Sequence, residues 1–484
     1  MLNNNSFLSA ILQRYSSAVV VQLSGFVVGL TVSKILGPEL LGYWGVFHIV
    51  AGYYSYINLG ATNGLTRDLG VALGSNDKEK IKQVIGAAHA VQLTLPFIAT
   101  VGLFVAGLFF VSPMNWILIT AGIYGFIQLY EVTLIRIINS FEQHKLLAIL
   151  HSVKAILSII IVIPLVYYFQ IEGRFVAAII LSLIIFAATW KILPINLSLN
   201  FDRKLIRSLI KVGFPIGMTG FLMTNFFLVD RLVVVNYLAI EQLGLYVFAF
   251  YLVMVVKGIK QTVSNILYQR QNIIYGEDGP EKRRRLLIIS KSTAYFTTDI
   301  TGVLSGVLLI LFSFAVKYIM PEYTESISLT FIIVFSQVMG SINVLNTVGK
   351  HWDNLKLMGI SLIINIILSI VFVNIWGLLG VAYATFLAFL IYNTIVNIYN
   401  LRYFNVTSME SLGIVIRISG VPIFCYLIAY FIENALLEYI TGVLLTDIAI
   451  AIFLCLGYLI LTAPLLYYLR KHISVLNRIK LLNK

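Results

Sequence analysis

Long apolar stretches recur along the whole chain, separated by short polar breaks that often contain glycine or proline. Taken as helices, they form fourteen segments, with approximate limits of 15–36, 42–63, 84–111, 116–138, 147–169, 175–195, 212–236, 243–268, 290–318, 326–348, 355–374, 377–401, 412–432 and 443–469. At a rise of about 1.5 Å per residue, each segment can cross the ~30 Å hydrocarbon core of a bilayer. The pattern predicts an all-α, polytopic membrane protein with fourteen transmembrane helices.

Composition excludes an ordinary soluble protein. Hydrophobic residues make up 59% of the chain and charged residues 11%, whereas soluble domains are about a quarter charged. The two cysteines, Cys425 and Cys455, fall inside predicted spans and are expected to pack as small apolar side chains. The first apolar stretch lacks a small-x-small cleavage site and is therefore expected to be retained as a helix.

Basic residues concentrate on one side of the predicted membrane. With a cytoplasmic N-terminus, only Lys34, Arg174, Arg231 and Lys317 of the 34 basic residues fall in the outer half. Inner loops are enriched in lysine and arginine, so this asymmetry predicts that both termini lie inside. The formal net charge of +13 is therefore a topology signal, and no nucleic-acid binding is expected.

The chain repeats itself in the same orientation. A shift of 202 residues (238 − 36) places LGPELLGYW, 36–44, on LAIEQLGLY, 238–246. The repeat predicts two pseudo-symmetric six-helix bundles, 1–195 and 212–401, followed by helices 13 and 14 with a basic cytoplasmic tail in 402–484. Parallel repeats of this kind place a binding site between the two halves, near the bilayer midplane.

A basic amphipathic segment, 196–211, connects the predicted bundles. Asp202 can cap a helix start, and Gly213 with Pro215 is expected to end or bend that helix. Four basic residues share one helical face: Arg203, Lys204, Arg207 and Lys211. The segment is expected to lie on the anionic lipids of the inner leaflet.

Two segments carry a resemblance to a known superfamily: LSGFVVGLTVSKILGPELLGYWGVF, 23–47, and FLVDRLVVVNYLAIEQLGLYVFAF, 227–250. With the two-bundle organisation, they resemble the multidrug/oligosaccharidyl-lipid/polysaccharide exporter superfamily, and within it the polysaccharide-unit flippases of the Wzx type. Four residues fit the family pattern: Asp230, Arg231, Gly244 and Tyr246. The resemblance covers nearly the whole chain. It implies movement of undecaprenyl-diphosphate-linked oligosaccharides (O-antigen, capsule or similar units) from the inner to the outer leaflet of the bacterial cytoplasmic membrane by alternating access.

Cations inside the predicted spans suit such a substrate. A diphosphate crossing hydrocarbon needs charged partners in a hydrated cavity, because an isolated charge there costs several kcal/mol. The candidate binding residues are Arg231, Lys257, Lys260 and Lys34, with the neutral Ser55 and Asn58 at the repeat-related positions and Arg67 and Arg270 at inner helix ends. As alternatives, Lys34 snorkels to the outer surface, Arg231 neutralises Asp230, and Lys257 and Lys260 snorkel inward.

The energy for transport is expected to come from an ion gradient, the membrane potential or the gradient of the substrate. The chain contains no G-x-x-x-x-G-K-[ST] motif for ATP and no spacing typical of a metal site, so no cofactor is expected. Coupling to H⁺ or Na⁺ would use an acid within the spans: Asp230, Asp299 or Glu131. Alternatively, Glu131 forms a structural ion pair with a basic residue. Arg136, which lies close to it in sequence, is a candidate for this partner. Other glycan-assembly proteins are expected partners besides the substrate and anionic lipids.

Two rival functions remain open. A drug or organic-cation exporter of the same superfamily would line its cavity with acids and aromatic residues. A membrane glycan polymerase or ligase would carry a large outer loop with catalytic residues, whereas the predicted outer connections here are short. The excess of lysine and arginine within the spans favours an anionic substrate, and no enzymatic activity is expected.

Overall fold

The computed structural model describes residues 4–141, 143–193, 198–276, 281–439, 444–465 and 467–468. Within these ranges the α-helices are α1 (Asn4–Tyr54), α2 (Ala61–Gly74), α3 (Lys78–Gly107), α4 (Met114–Ser140), α5 (His144–Ile192), α6 (Arg203–Tyr237), α7 (Ile240–Gly276), α8 (Lys282–Ile319), α9 (Ser326–Val338), α10 (His351–Tyr403), α11 (Ser408–Tyr439) and α12 (Leu444–Leu461). A short 3-10 helix, Pro321–Tyr323, precedes α9. The predicted all-α membrane class is confirmed.

Nine of the described helices are long and apolar enough to cross a membrane: α1, α3 to α8, α10 and α11. Three of them contain a break with a positive φ, at Gly37 in α1, Gln170 in α5 and Gly377 in α10. A straight α1 of 51 residues would extend ~75 Å, more than twice the ~30 Å hydrocarbon core. The breaks at Gly37 and Gln170 fall between two predicted spans, and Gly377 is the first residue of predicted span 377–401, so one long helix corresponds to two spans. The count of fourteen spans and the inside location of both termini stay predictions.

Predicted span 42–63 is not one continuous helix. Its helix stops at Tyr54, and α2 begins only at Ala61. Leu59 and Gly60 between them have positive φ values of 50° and 79°. The expectation of an unbroken helix here is wrong, because a left-handed backbone at two successive positions cannot continue a right-handed helix.

Predicted span 326–348 is also interrupted, because α9 ends at Val338. Two asparagine side chains of α10 replace the missing helical hydrogen bonds. The amide N–H of Ile342 donates to Oδ1 of Asn397 at 2.6 Å, and that of Val344 donates to Oδ1 of Asn400 at 3.0 Å. Irregular backbone at membrane depth is tolerated only where protein or a cavity satisfies its polar groups, as here.

The basic connecting segment forms the first turns of α6. Asp202 caps the helix by accepting a hydrogen bond from the Lys204 amide at 2.8 Å, and the basic side chains are exposed while Leu209 is buried. The helix continues through Gly213 and Pro215 to Tyr237. Gly213 and Pro215 therefore do not end the helix, and the alternative expectation, a bend at these residues, stays a prediction.

The chain divides into two compact units, Met1–Val247 and Phe248–Lys484. Helix α6 packs on α2 within the first unit, and the predicted bundles 1–195 and 212–401 stay predictions. A Cβ atom at Gly64 would overlap the carbonyl oxygen of Leu209, so the two backbones touch. Small residues allow this close approach between membrane helices. In the second unit α11 and α12 pack on α8.

A reciprocal contact joins the two repeat-related turns within the first unit. A Cβ at Gly42 would overlap the carbonyl oxygen of Ile240, and a Cβ at Gly244 would overlap that of Pro38. Both pairs obey the repeat shift, since 42 + 202 = 244 and 38 + 202 = 240. In a contact across a two-fold axis, each partner makes the other's interaction in return. The two turns therefore contact each other through equivalent positions of the sequence repeat.

Adding one methyl group at Gly244 tests this contact. Gly244→Ala should lower the free energy of unfolding by about 1–3 kcal/mol or more, because the Pro38 carbonyl must move away. Gly70→Ala is the control, since its Cβ would meet no heavy atom within 4 Å, and it should be neutral or stabilise helix α2 by up to ~1 kcal/mol. Thermal unfolding in detergent measures both. Wild-type stability of Gly244→Ala would contradict the close approach.

Candidate functional site

A cavity of about 430 Å³ opens in the first unit where the break 55–60 faces α4 and α6. Ligand pockets in proteins typically have volumes of about 300–1,000 Å³. Aromatic and aliphatic residues of α6, including Phe214 and Phe221, form one wall. The polar lining residues include Asn63 of α2 and Gln128 and Arg136 of α4. The cavity lining is therefore partly aromatic and apolar and partly polar.

Two of the predicted sugar-binding residues, Ser55 and Asn58, line this cavity. Their polar atoms, however, hold the break itself. Oδ1 of Asn58 accepts from the Gly60 amide at 3.1 Å, and its Nδ2 donates to Oγ1 of Thr62. Ser55 Oγ donates to the carbonyl of Gly52 at 2.7 Å. Both side chains stabilise an interrupted helix that shapes the cavity.

Tyrosines attach the broken segment to α6. Tyr56 donates to Oγ1 of Thr224 at 2.8 Å, and Tyr53 donates to Oδ1 of Asn225 at 2.9 Å. The Tyr56 ring also meets Phe221 edge to face, with centroids 5.0 Å apart. These contacts fix the position of α6 across the cavity.

Arg136 was treated in the sequence as an orientation signal, yet it lines the cavity from α4. Its side chain is half-buried. Across the described part of the chain, the Arg136 guanidinium makes no ion pair and no side-chain hydrogen bond. The same holds for the side-chain amides of Asn63 and Gln128, within those described residues. Arg136, Asn63 and Gln128 can be recognised as cavity residues only from their positions around the helix break. The sequence does not show where that break lies.

Glu131, one of the predicted coupling acids, pairs with Lys154 of α5. Lys154 Nζ lies 2.7 Å from Oε1 and 3.0 Å from Oε2 of Glu131, and the carboxylate is almost completely buried. Arg136, the neighbour in sequence, is not the partner that the structure gives it. The antiparallel packing of α4 and α5 brings Lys154 across instead.

Asp230 and Arg231 point to different surroundings. Tyr246 donates its hydroxyl proton to Oδ2 of Asp230 at 2.8 Å, and both residues are fully buried. The motif residues Asp230 and Tyr246 therefore connect α6 to the start of α7. Arg231 is 8% exposed. Neighbouring positions of a helix lie about 100° apart, so the adjacent residues Asp230 and Arg231 project from different faces of α6.

Two residues near Arg231 were not selected from the sequence. Arg231 and Arg174 both interact electrostatically with His48 of α1. The Arg174 guanidinium carbon lies 3.9 Å from the centroid of the Trp44 ring. This cation–π contact fixes the position of the Arg174 side chain. Arg174 follows the break of α5 at Gln170. A cationic cluster of Arg174 and Arg231 thus forms around His48.

Lys260 belongs to the second unit, as does Lys257 on the same helix. Lys260 Nζ donates to the carbonyl oxygens of Gln337, at 3.0 Å, and Met339. These carbonyls lie where α9 ends, so the ammonium group satisfies the end of the interrupted helix. Cations are favoured at a helix C-terminus.

The remaining predicted binding residues occupy helix ends or exposed positions. Lys34 is exposed on α1. Arg67 of α2 contacts Asp68 at 3.1 Å with a side chain that is 60% exposed. The side chain of Arg270 lies outside the described residues. Neither Lys34 nor Arg67 lines the cavity of the first unit.

Asp299, another of the candidate coupling acids, forms a salt bridge with Arg417 of α11. The Arg417 Nη2 atom lies 2.8 Å from Oδ2 of Asp299, and the aspartate is 1% exposed. The partner was not recognised because 118 positions separate the two residues in sequence. In the parts of the chain that the structure describes, no group of three or more histidine, cysteine, aspartate or glutamate residues could hold a metal ion.

Solved structures of membrane transporters share this fold. A lipid II flippase MurJ in an inward closed conformation matches with a TM-score of 0.66 and 18% identity over 94% of this chain and 100% of that one. A multidrug resistance MATE family transporter of the MOP superfamily matches in its inward-facing conformation with a TM-score of 0.60 and 16% identity over 82% of this chain and 98% of that one. No family model and no curated protein sequence matches the chain. The resemblance predicted from the sequence is confirmed at the level of the fold.

Proposed function

We propose that this protein is a flippase for undecaprenyl-diphosphate-linked oligosaccharide units, such as those of O-antigen or capsule. It moves them from the inner to the outer leaflet of the bacterial cytoplasmic membrane by alternating access. The fold is that of a multi-pass transporter, and a lipid II flippase is among the proteins that share it. The substrate class rests on the cations of the chain.

The observation that carries the proposal is that the candidate coupling acids within the helices have bonding partners, whereas a cavity-lining arginine has none in the described residues. Each acid singled out for coupling accepts a bond from a named donor: Asp230 from Tyr246, Glu131 from Lys154 and Asp299 from Arg417. Arg136 has no such partner in the described residues, and it lines a cavity. A charge taken out of water requires compensation. A cavity lined, among the described residues, by one arginine and by no aspartate or glutamate favours an anionic cargo over an organic cation.

Coupling and partners complete the proposal. Transport is driven by an H⁺ or Na⁺ gradient, with Asp230, Glu131 and Asp299 as the acids available within the helices. The exposed basic face of the first turns of α6 binds anionic lipids of the inner leaflet, where each lysine or arginine near the surface contributes about 1 kcal/mol. Other glycan-assembly proteins deliver the substrate and receive it.

A reconstituted system tests the function. The purified protein is inserted into liposomes that contain a fluorescent undecaprenyl-diphosphate-linked oligosaccharide in both leaflets. A glycosidase added outside should cleave the inner-leaflet pool as well, whereas protein-free liposomes should retain that pool. Uptake of an organic cation such as ethidium, with no exposure of the lipid-linked glycan, would support the drug exporter and contradict the flippase.

A further inference from the structure

We propose that the cavity of the first unit is an anion-binding subsite in which Arg136 binds a phosphate or carboxylate of the transported molecule. The inference rests on the proposed function for the source of that anion. Within this function it assigns a specific place to one charged group of the substrate. The site is separate from the Arg174 and Arg231 cluster, whose residues do not line the cavity.

Charge is the first argument for an anion. A half-buried guanidinium without an ion pair in the described residues has lost part of its hydration without gaining a counter-charge. Burying such a charge costs free energy unless a ligand or water supplies its missing hydrogen bonds. Arginine also presents a planar fork of donors that matches the two oxygens of a phosphate or carboxylate. The cavity in front of Arg136 gives an anion the space to reach that fork.

The neighbouring amides are the second argument. Asn63 on α2 and Gln128 on α4 line the same cavity, and neither side chain has a hydrogen-bond partner in the described residues. Amides both donate and accept, which suits hydroxyl groups next to an anionic group. Gln128 lies eight positions before Arg136 on α4, so it contacts the ligand further along the helix. The polar wall thus matches an anion with adjacent hydroxyls.

The aromatic wall is the third argument. Phe214 and Phe221 of α6 line the same cavity, together with Tyr56 of the break. Apolar walls with a few placed polar groups are typical of small-molecule sites. The Tyr56 hydroxyl already donates to Thr224, so its ring and not its hydroxyl is available for packing. One ligand chemistry fits all three walls: a sugar or isoprenyl unit that carries an anionic oxygen group.

Two parts of a lipid-linked glycan could supply this chemistry: the carrier diphosphate and an acidic sugar. A cysteine at Val132, which lines the cavity, reports occupancy through its rate of reaction with a methanethiosulfonate reagent. Background is low because both native cysteines are buried. The probes are farnesyl diphosphate for the carrier, a glucuronic acid glycoside for the sugar, and the neutral glucoside as a blank.

At least one anionic probe should slow the reaction of Val132→Cys, and the neutral glucoside should not. Protection by farnesyl diphosphate identifies the carrier as the source, whereas protection by the glucuronide identifies an acidic sugar. Adding Arg136→Gln should weaken the binding of the protecting probe by roughly tenfold to a hundredfold, which corresponds to the loss of a charge-assisted hydrogen bond. Arg136→Lys should recover part of the affinity. Lys145→Gln, which removes an exposed charge outside the cavity, should change nothing.

Protection by neither anion, equal protection by the neutral glucoside, or unchanged protection in Arg136→Gln would each overturn the subsite. If Arg136→Gln does not fold, Asn63→Leu and Gln128→Leu test the same site and should weaken binding by several-fold. The liposome assay separates the two proposals. Flipping without protection contradicts the subsite alone, and protection without flipping contradicts the flippase alone.

Discussion

Arg231→Glu should abolish the export of lipid-linked glycan while the protein remains folded and inserted. We expect the flipping rate to fall by roughly a hundredfold or more, because a charge-assisted hydrogen bond to the anion is worth about 1.5–3 kcal/mol and a carboxylate adds repulsion. The new acid would also lie beside Asp230, which is already buried and bound to Tyr246. The measurement is the liposome assay, at matched protein levels.

Other substitutions at the same position separate charge from packing. Arg231→Lys should retain part of the activity, since it keeps the charge and loses the bidentate fork. Arg231→Met keeps much of the side-chain volume and should lose transport while remaining folded. Arg284→Glu is the control, because this arginine is 77% exposed. Normal flipping by Arg231→Glu at wild-type expression would leave Arg231 with a packing role only.

The sequence predicted the helical class well, because exclusion from water is recorded directly in runs of apolar residues. It did not predict where those helices are interrupted. The break after Tyr54 and the end of α9 at Val338 both fall inside apolar runs. Hydropathy cannot locate them, because it records the polarity of the side chains and not the conformation of the backbone. The breaks depend on local details and on distant groups, such as Asn58 for the first and Asn397 for the second.

Charged residues show the same limit. The sequence identified the buried acids, but their partners depend on which helices are neighbours. Lys154 reaches Glu131 because α4 and α5 pack together, and Arg417 reaches Asp299 because α8 and α11 do. Arg136 was assigned to topology, since a basic residue near a predicted inner helix end needs no other explanation. Its cavity appears only when the break has been placed.

The packing of α11 on α8 follows a complementary series of charges. Lys291 contacts Glu410 at 3.2 Å, Asp299 contacts Arg417 at 2.8 Å, and Lys317 lies 3.8 Å from Glu433. Along α8 the signs run positive, negative, positive, and along α11 they run in the opposite order. The two helices are parallel, because later residues of one pair with later residues of the other. The central aspartate is 1% exposed, which makes it the most deeply buried of these six side chains.

Breaking the central pair should therefore have a large effect on stability. Arg417→Met should cost about 3–5 kcal/mol, because it leaves the buried Asp299 carboxylate without its partner. Asp299→Leu should cost less, because the Arg417 side chain that it leaves is 27% exposed. The double variant should recover most of that loss, since apolar replacement of a whole buried pair is often neutral or stabilising. A double-mutant cycle in detergent, followed by thermal unfolding, measures the interaction energy.

The pair Lys291 and Glu410 on the same two helices is the matched control. Their side chains are 32% and 54% exposed, so Lys291→Met or Glu410→Gln should each cost no more than about 1 kcal/mol. The double variant at positions 299 and 417 also distinguishes a structural acid from a coupling acid. If the salt bridge only holds α8 to α11, a stable double variant should flip lipid-linked glycan at a rate close to wild type. If Asp299 carries the coupling ion, that variant should be stable and yet unable to respond to an imposed ion gradient, which would contradict the structural role.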